Sequence, residues 1–268
     1  MSRPLILFYG TLAYIVFLLT FLYAIGFVSG VGVPRTIDTG RTAAPAAALA
    51  IDLLLLALFA VQHSGMARPA FKRWWTRYVP VAAERSTYVL VSSLALILLF
   101  WQWRTLAQPV WSIHSEPARW ALYALAAAGW LLVLSSTFLI DHFGLFGLRQ
   151  VWSHAQGLDT QHDGAFVTRA FYRLVRHPLM LGFLIAFWAA PDMSQGHLLF
   201  ALMTTGYILL AVKCLEERDL VAQFGDTYRS YQREVPMLLP WHAVRTPRPA
   251  PTGCPLGHAA GGSEHHPR

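Results

Sequence analysis

Arg176-His177-Pro178 and Glu216-Glu217 are the residues of this sequence best suited to hold a small polar molecule. Pro178 fits the first position of a helix, where its missing N–H costs nothing. A helix N-terminus offers free N–H groups and partial positive charge, which suit a carboxylate or a phosphate. Arg173 and Arg176 add full charge of the same sign. Glu216 and Glu217, followed by Arg218, suit an ammonium or ribose hydroxyls, and Tyr172, Tyr228 and Tyr231 offer ring faces and hydroxyl groups. His177 and Glu217 are forty residues apart, so they meet only if the apolar stretch between them folds as a hairpin that returns to its starting side. A ligand with a carboxylate, an ammonium, a ribose and an adenine fits this set. S-adenosylmethionine is such a ligand, and aromatic faces attract its sulfonium. A second set is suited to moving protons: His63 in Gln62-His63-Ser64, and the neighbours Asp141 and His142. Asp52, eleven residues before His63, falls on nearly the same helix face about 16 Å deeper. With Glu84 it is a candidate for a substrate pocket, because ionisable groups within membrane helices are costly and carry function by default.

The elements that position these residues follow from composition. The 268 residues are 55% hydrophobic and 13% charged, against about 25% charged in an ordinary soluble domain. Mean hydropathy is +0.43. Apolar runs cover 5–31, 44–66, 88–103, 120–140, 178–190 and 197–215, and a spanning helix needs roughly 20 such residues. The first four qualify, the third with help from its flanks. The fifth is short and stops at Pro191-Asp192. The fold expected is an all-α integral membrane bundle of five or six transmembrane segments, the last two forming a helical hairpin. The first run is too long for a signal-peptide core and ends in no small-residue cleavage site, so it reads as a retained helix.

Lys and Arg set the orientation. Arg68, Lys72, Arg73, Arg77 and Arg85 follow the second run; Arg149, Arg169, Arg173 and Arg176 follow the fourth; Arg218, Arg229, Arg233, Arg245 and Arg248 follow the last. The other loops carry Arg35 and Arg41, then Arg104 and Arg119. The first group belongs in the cytoplasm, and the candidate residues lie at that end. This implies a bacterial inner membrane with the active site facing inward. The net charge of +7 is topological and points to lipid rather than to nucleic acid. Cys214 and Cys254 alone imply neither a disulfide framework nor a cysteine metal site. Residues 1–245 read as one transmembrane domain with its cofactor region at about 137–240. Residues 246–268, rich in Pro, Gly and His, read as a disordered tail.

The motifs then converge. Tyr172-Arg173-Leu174-Val175-Arg176-His177-Pro178, with Gly182 four further on, resembles the RHPxxxG motif of the isoprenylcysteine carboxyl methyltransferase-like membrane proteins. Glu216-Glu217-Arg218-Asp219-Leu220, Phe224-Gly225, Tyr228, Tyr231, Val235-Pro236 and Pro240 resemble their C-terminal block. Many relatives have a tyrosine two residues after the RHP proline, where Met180 stands here. Gln62-His63-Ser64-Gly65-Met66-Ala67-Arg68, Glu84-Arg85-Ser86-Thr87-Tyr88 and Asp141-His142-Phe143-Gly144-Leu145-Phe146-Gly147-Leu148 are similar to segments of one branch, the methanethiol S-methyltransferases. The resemblance covers nearly all of 1–240. It implies methyl transfer from S-adenosylmethionine to a small volatile thiol, giving dimethyl sulfide, with Tyr172, Arg173, Arg176, His177, Pro178, Gly182, Glu216, Glu217, Arg218, Tyr228 and Tyr231 around the cofactor.

Such a transfer needs a thiolate, and thiols of pKa about 8.5 or above are mostly protonated at neutral pH. His63, Asp141 and His142 are the candidates to take the proton, with an Asp–His pair across two helices as one way to orient the imidazole. Two other readings remain: a different acceptor, such as an isoprenylcysteine carboxylate in a lipid-accessible groove, and a haem- or metal-handling membrane protein using His63, His142 and His177.

Overall fold

A computed structural model of the chain describes residues 2–158 and 168–240. The expected tail, and the boundary before it, lie outside these residues. Among the described residues, five helices are long and apolar enough to cross a membrane. They are α1 (Arg3–Ser29), α2 (Pro45–Ala67), α4 (Val81–Gln102), α5 (Glu116–Ile140) and the continuous run Gln195–Phe224. That last run consists of α9 (Gln195–Ala211), a π-helical turn (Val212–Glu216) and α10 (Glu217–Phe224). Shorter helices sit between and after them: α3 (Pro69–Trp75), α6 (His142–Leu145), α7 (Leu148–Gln156), α8 (Pro178–Trp188) and α11 (Asp226–Glu234). Large apolar side chains such as Phe8, Leu19, Leu54, Leu131 and Leu210 stand exposed along the long helices, as lipid-facing positions do. The chain is an integral membrane protein.

Helix starts are legible locally. Proline occupies the first turn of α1, α2, α3, α5 and α8, where it disrupts no hydrogen bond. The α1 helix stops at Gly30, whose φ of 73° is left-handed. The fifth apolar run becomes only eleven residues of helix, α8, too short to cross alone. Its continuation reaches the far end of the bundle nevertheless. Strand β2 (Asp192–Ser194) pairs antiparallel with β1 (Pro109–Ser112), which follows the C-terminal end of α4. This ribbon is absent from the expected all-α pattern; it satisfies backbone groups of two proline-bounded connections. Arg119 ties it down through Asp192 at 2.8 Å.

Within the membrane, α4 is the most buried of the five and packs on α1, α2 and α7. It begins seven residues before the apolar run, because its polar first turns are covered. Thr87 donates to the Ala83 carbonyl, and Ser86 donates to the Gly147 carbonyl. Helix α8 lies on α5 with almost no gap: a Cβ on Gly182 would stand 2.7 Å from the Gly129 carbonyl oxygen, and one on Gly129 would stand 2.7 Å from the Ala186 nitrogen. Small residues at such crossings let membrane helices approach backbone to backbone. The half of the bundle near β1 and β2 holds the main core, with Phe27, Leu99, Phe100, Trp103, Trp130, Phe187 and Phe200. The half where α8 begins holds the clusters around His63, His142 and His177.

Candidate active site

The hairpin closes as its spacing requires. At the start of α8 His177 meets both carboxylates, with Nδ1 3.4 Å from Glu216 and Nε2 3.3 Å from Glu217. Arg176 grips Glu217 through Nε at 2.7 Å and Nη2 at 2.6 Å. Gln232 donates to Glu217 Oε2 at 3.2 Å and Tyr228 to Oε1 at 3.4 Å. Arg176 also donates to the carbonyls of Gln232 and Val235, while the backbone N–H groups of Arg176 and His177 donate to Pro236 and Met237. The result is a clasp that fastens α10, α11 and the following segment to the start of α8. The π-helical turn makes it possible. It includes Glu216 and ends just before Glu217, and such bulges turn everything after them about 100° around the helix axis.

Burial alone would lower the His177 pKa, but the hydrogen bonds and charges of Glu216 and Glu217 outweigh it and raise the value to about 9. The imidazole is therefore an imidazolium at neutral pH, and two cations balance two carboxylates. Glu217, expected to face a ligand, instead has its oxygens occupied within the protein. Tyr231 is also a strut: its buried hydroxyl donates to the Tyr172 carbonyl at 2.5 Å. Pro178 is fully buried, and Gly182 serves the α5–α8 crossing. The groups of this set that remain accessible are Glu216, whose side chain is 44% exposed, and the exposed Arg173 and Arg218.

The proton-handling candidates do not converge on one another. Asp141 forms an ion pair with Arg149 and accepts the Gly144 N–H, capping α6; it orients no histidine. His142 is buried, with Nδ1 2.8 Å from the Thr137 hydroxyl and Nε2 2.9 Å from the Tyr14 hydroxyl. Thr137 donates its own hydrogen to the Leu134 carbonyl. The His142 Nδ1 must therefore donate to Thr137, leaving the Nε2 lone pair to accept from Tyr14. Burial holds the His142 pKa below the ordinary value against the opposing pull of Asp141. Phe138 stacks on the ring at 4.2 Å.

His63 lies elsewhere, between α2 and α4. The Tyr88 hydroxyl is 2.9 Å from its Nε2, Ser92 is 3.3 Å from its Nδ1, and Phe59 stacks on it. The neighbouring Ser64 bonds Tyr207 of α9 at 2.9 Å, and Arg68 reaches Asp219 at 3.1 Å, so this cluster is fastened to the element carrying the clasp. Asp52 is fully buried at the opposite end. Its Oδ1 accepts the Arg104 N–H at 2.9 Å, which makes it a cap for the chain leaving α4. Glu84 is half-buried at the start of α4. Among the described residues no three His, Cys, Asp or Glu side chains group as a metal site, and His63, His142 and His177 have separate partners.

Over 241 residues the chain is 56% identical to the methanethiol S-methyltransferase of Mycobacterium tuberculosis, covering 90% of this chain and 98% of that one. The chain belongs to the methanethiol S-methyltransferase family. Methanethiol S-methyltransferase 2 of Bradyrhizobium diazoefficiens is 51% identical over 259 residues, 95% of this chain and 99% of that one. Nurim of Mus musculus is 40% identical over 182 residues, 65% of this chain and 68% of that protein. No protein-family model matches the chain, and no solved structure does. Within this family member, the site partners that sequence reasoning passed over are Tyr14, Thr137, Tyr207, Gln232 and the π-helical turn. Tyr14 is one of several hydroxyl residues of α1, with Tyr9, Thr11, Thr20 and Tyr23, so its type alone did not single it out; Gln232 and the turn carried no signal.

Proposed function

We propose that the protein transfers a methyl group from S-adenosylmethionine to methanethiol, producing dimethyl sulfide and S-adenosylhomocysteine. The observation that carries this reading is the match to relatives named methanethiol S-methyltransferase along 98% and 99% of their lengths. The bound donor would supply an electrophilic methyl group on a sulfonium. The residues at the clasp fit it: Glu216 is a carboxylate with room for an ammonium or ribose hydroxyls, Tyr172 lies within its electrostatic reach, and Arg173 and Arg218 offer positive charge for a carboxylate. Arg176, His177, Glu217, Tyr228 and Tyr231 act one step back, holding these groups in place.

The acceptor sulfur forms its new bond to carbon as the bond from that carbon to the sulfonium breaks, and the thiol proton leaves first. Positioning supplies much of the rate in such a displacement. His177, already protonated, is a poor base at neutral pH. His142 has the lower pKa and a defined lone pair at Nε2, so it is assigned as the base, with the Tyr14 hydroxyl as the group that passes the proton. The bundle lies in a bacterial inner membrane with the clasp in the cytoplasm, as the excess of Arg and Lys at that end favours. The direct test is headspace gas chromatography of purified protein in detergent with S-adenosylmethionine and methanethiol. Dimethyl sulfide well above an enzyme-free control is expected. Its absence from folded protein that binds the donor would discard methanethiol as the acceptor.

A further inference from the structure

The inner end of the molecule carries charge and hydroxyls, yet the acceptor is a neutral molecule of two heavy atoms that partitions into lipid. A cavity of about 130 Å³ lies higher in the bundle, among α1, α4, α5, α8 and α9. Aromatic rings make its walls, Phe17, Phe21, Trp130 and Phe187 among them. The hydroxyls in the lining are those of Thr20 and Ser93. Both donate to carbonyls of their own helices, Thr20 to Val16 and Ser93 to Val89. The indole N–H of Trp130 is buried without a partner among the described residues. A buried water needs two to four polar partners, whereas an apolar cavity of about 150 Å³ takes up benzene or xenon. The lining thus suits a small apolar guest, and a sulfur atom, a weak acceptor, is compatible with one spare donor.

The cavity also has a route to the chemistry. Phe17 in its wall stacks on Phe146 at 3.8 Å, and the Phe146 ring stands 4.9 Å edge-on to His142. On the α4 side, Ser93 faces the cavity while the adjacent Ser92 contacts His63. Two aromatic rings therefore separate the cavity from the imidazole assigned as base.

We infer that this aromatic cavity is a binding site for the methanethiol acceptor, filled from the membrane and emptied past Phe17 and Phe146 toward His142. The inference rests on the proposed reaction for the identity of its guest. It makes the membrane the supply route for the thiol and leaves the charged end to the donor.

The test combines xenon NMR with kinetics on the intact protein in detergent. The wild-type protein should show one saturable xenon site that methanethiol displaces. Ala24→Leu on α1 and Leu96→Phe on α4 each add carbon to the cavity wall without touching the clasp or the histidines. Because one methylene in an apolar pocket changes recognition about 10–200-fold, each should abolish the xenon signal and raise the methanethiol KM at least about tenfold. The kcat and the S-adenosylmethionine KM should stay near wild type. Wild-type thiol KM in folded, xenon-silent variants overturns the inference and leaves the reaction standing, as does a xenon site that methanethiol fails to displace. Displacement by methanethiol in wild-type protein that forms no dimethyl sulfide keeps the site and removes the reaction. The wild-type displacement decides the matter even if neither variant folds.

Discussion

The clasp around Glu217 and the pocket around His142 sit at the same end of the bundle and are built on opposite principles. The clasp is ionic. Arg176, His177, Glu216 and Glu217 balance their charges, and Glu217 alone takes hydrogen bonds from four side chains. The His142 pocket is neutral, with two hydroxyls fixing the ring's tautomer and aromatic rings covering its faces. In the proposed reaction the first fastens the chain so that a charged donor would meet a rigid rim. The second would keep a proton acceptor uncharged in an apolar setting. A buried histidine beside carboxylates and one beside hydroxyls thus have opposite fates within one protein.

The sharpest way to break this contrast is at the clasp. Glu217→Ala leaves Arg176 buried without its carboxylate, and breaking such a pair costs about 3–5 kcal/mol. Thermal unfolding in detergent should show the loss, together with loss of donor binding. Glu216→Gln removes a half-exposed partner of His177 alone, so it should lower the unfolding transition far less than Glu217→Ala does, and should weaken donor binding measured by calorimetry. Equal behaviour of the two variants would erase the division into holding and ligand-facing carboxylates. At the other pocket, His142→Ala should reduce kcat by at least about 10²-fold, the lower range for a lost general base, with donor affinity unchanged. A larger drop for His63→Ala would move the base to the Tyr88 cluster.

A milder probe is pH. The folded-state pKa of His177, about 9, lies above its ordinary 6.5. The clasp's contribution to stability is therefore complete below about 6.5 and lost as pH rises through about 9. Unfolding temperatures across that window should fall, and His177→Gln should flatten the fall. The smallest effect is expected for Arg68→Gln. Its partner Asp219 is half-exposed, and such ion pairs contribute under about 1 kcal/mol, so activity and unfolding should barely change.

The sequence made much of this legible, for identifiable reasons. Lipid demands long apolar runs, so the spanning helices show plainly. A hairpin returns to the side it starts from, so the meeting of His177 with Glu217 follows from its geometry. The division of labour inside the cluster was hidden, because whether a carboxylate faces a ligand or an arginine depends on rotation about its helix. Residue types also concealed the Gly129–Gly182 crossing, which turns a glycine of the RHP motif into a packing residue. The partners of His142 come from α1 and α5, far apart in the chain, and no spacing rule joins Tyr14 to residue 142.

The π-helical turn at Val212–Glu216 has a consequence for how the last helix is read. From Gln195 to Phe224 it is one rod with two phases. The stripe that faces lipid up to Ala211 and the stripe that faces outward after Glu217 are offset by about a quarter turn. The offset works as a vernier: one residue sets the rotation of both carboxylates against His177, leaving the membrane-embedded part of the rod where it is.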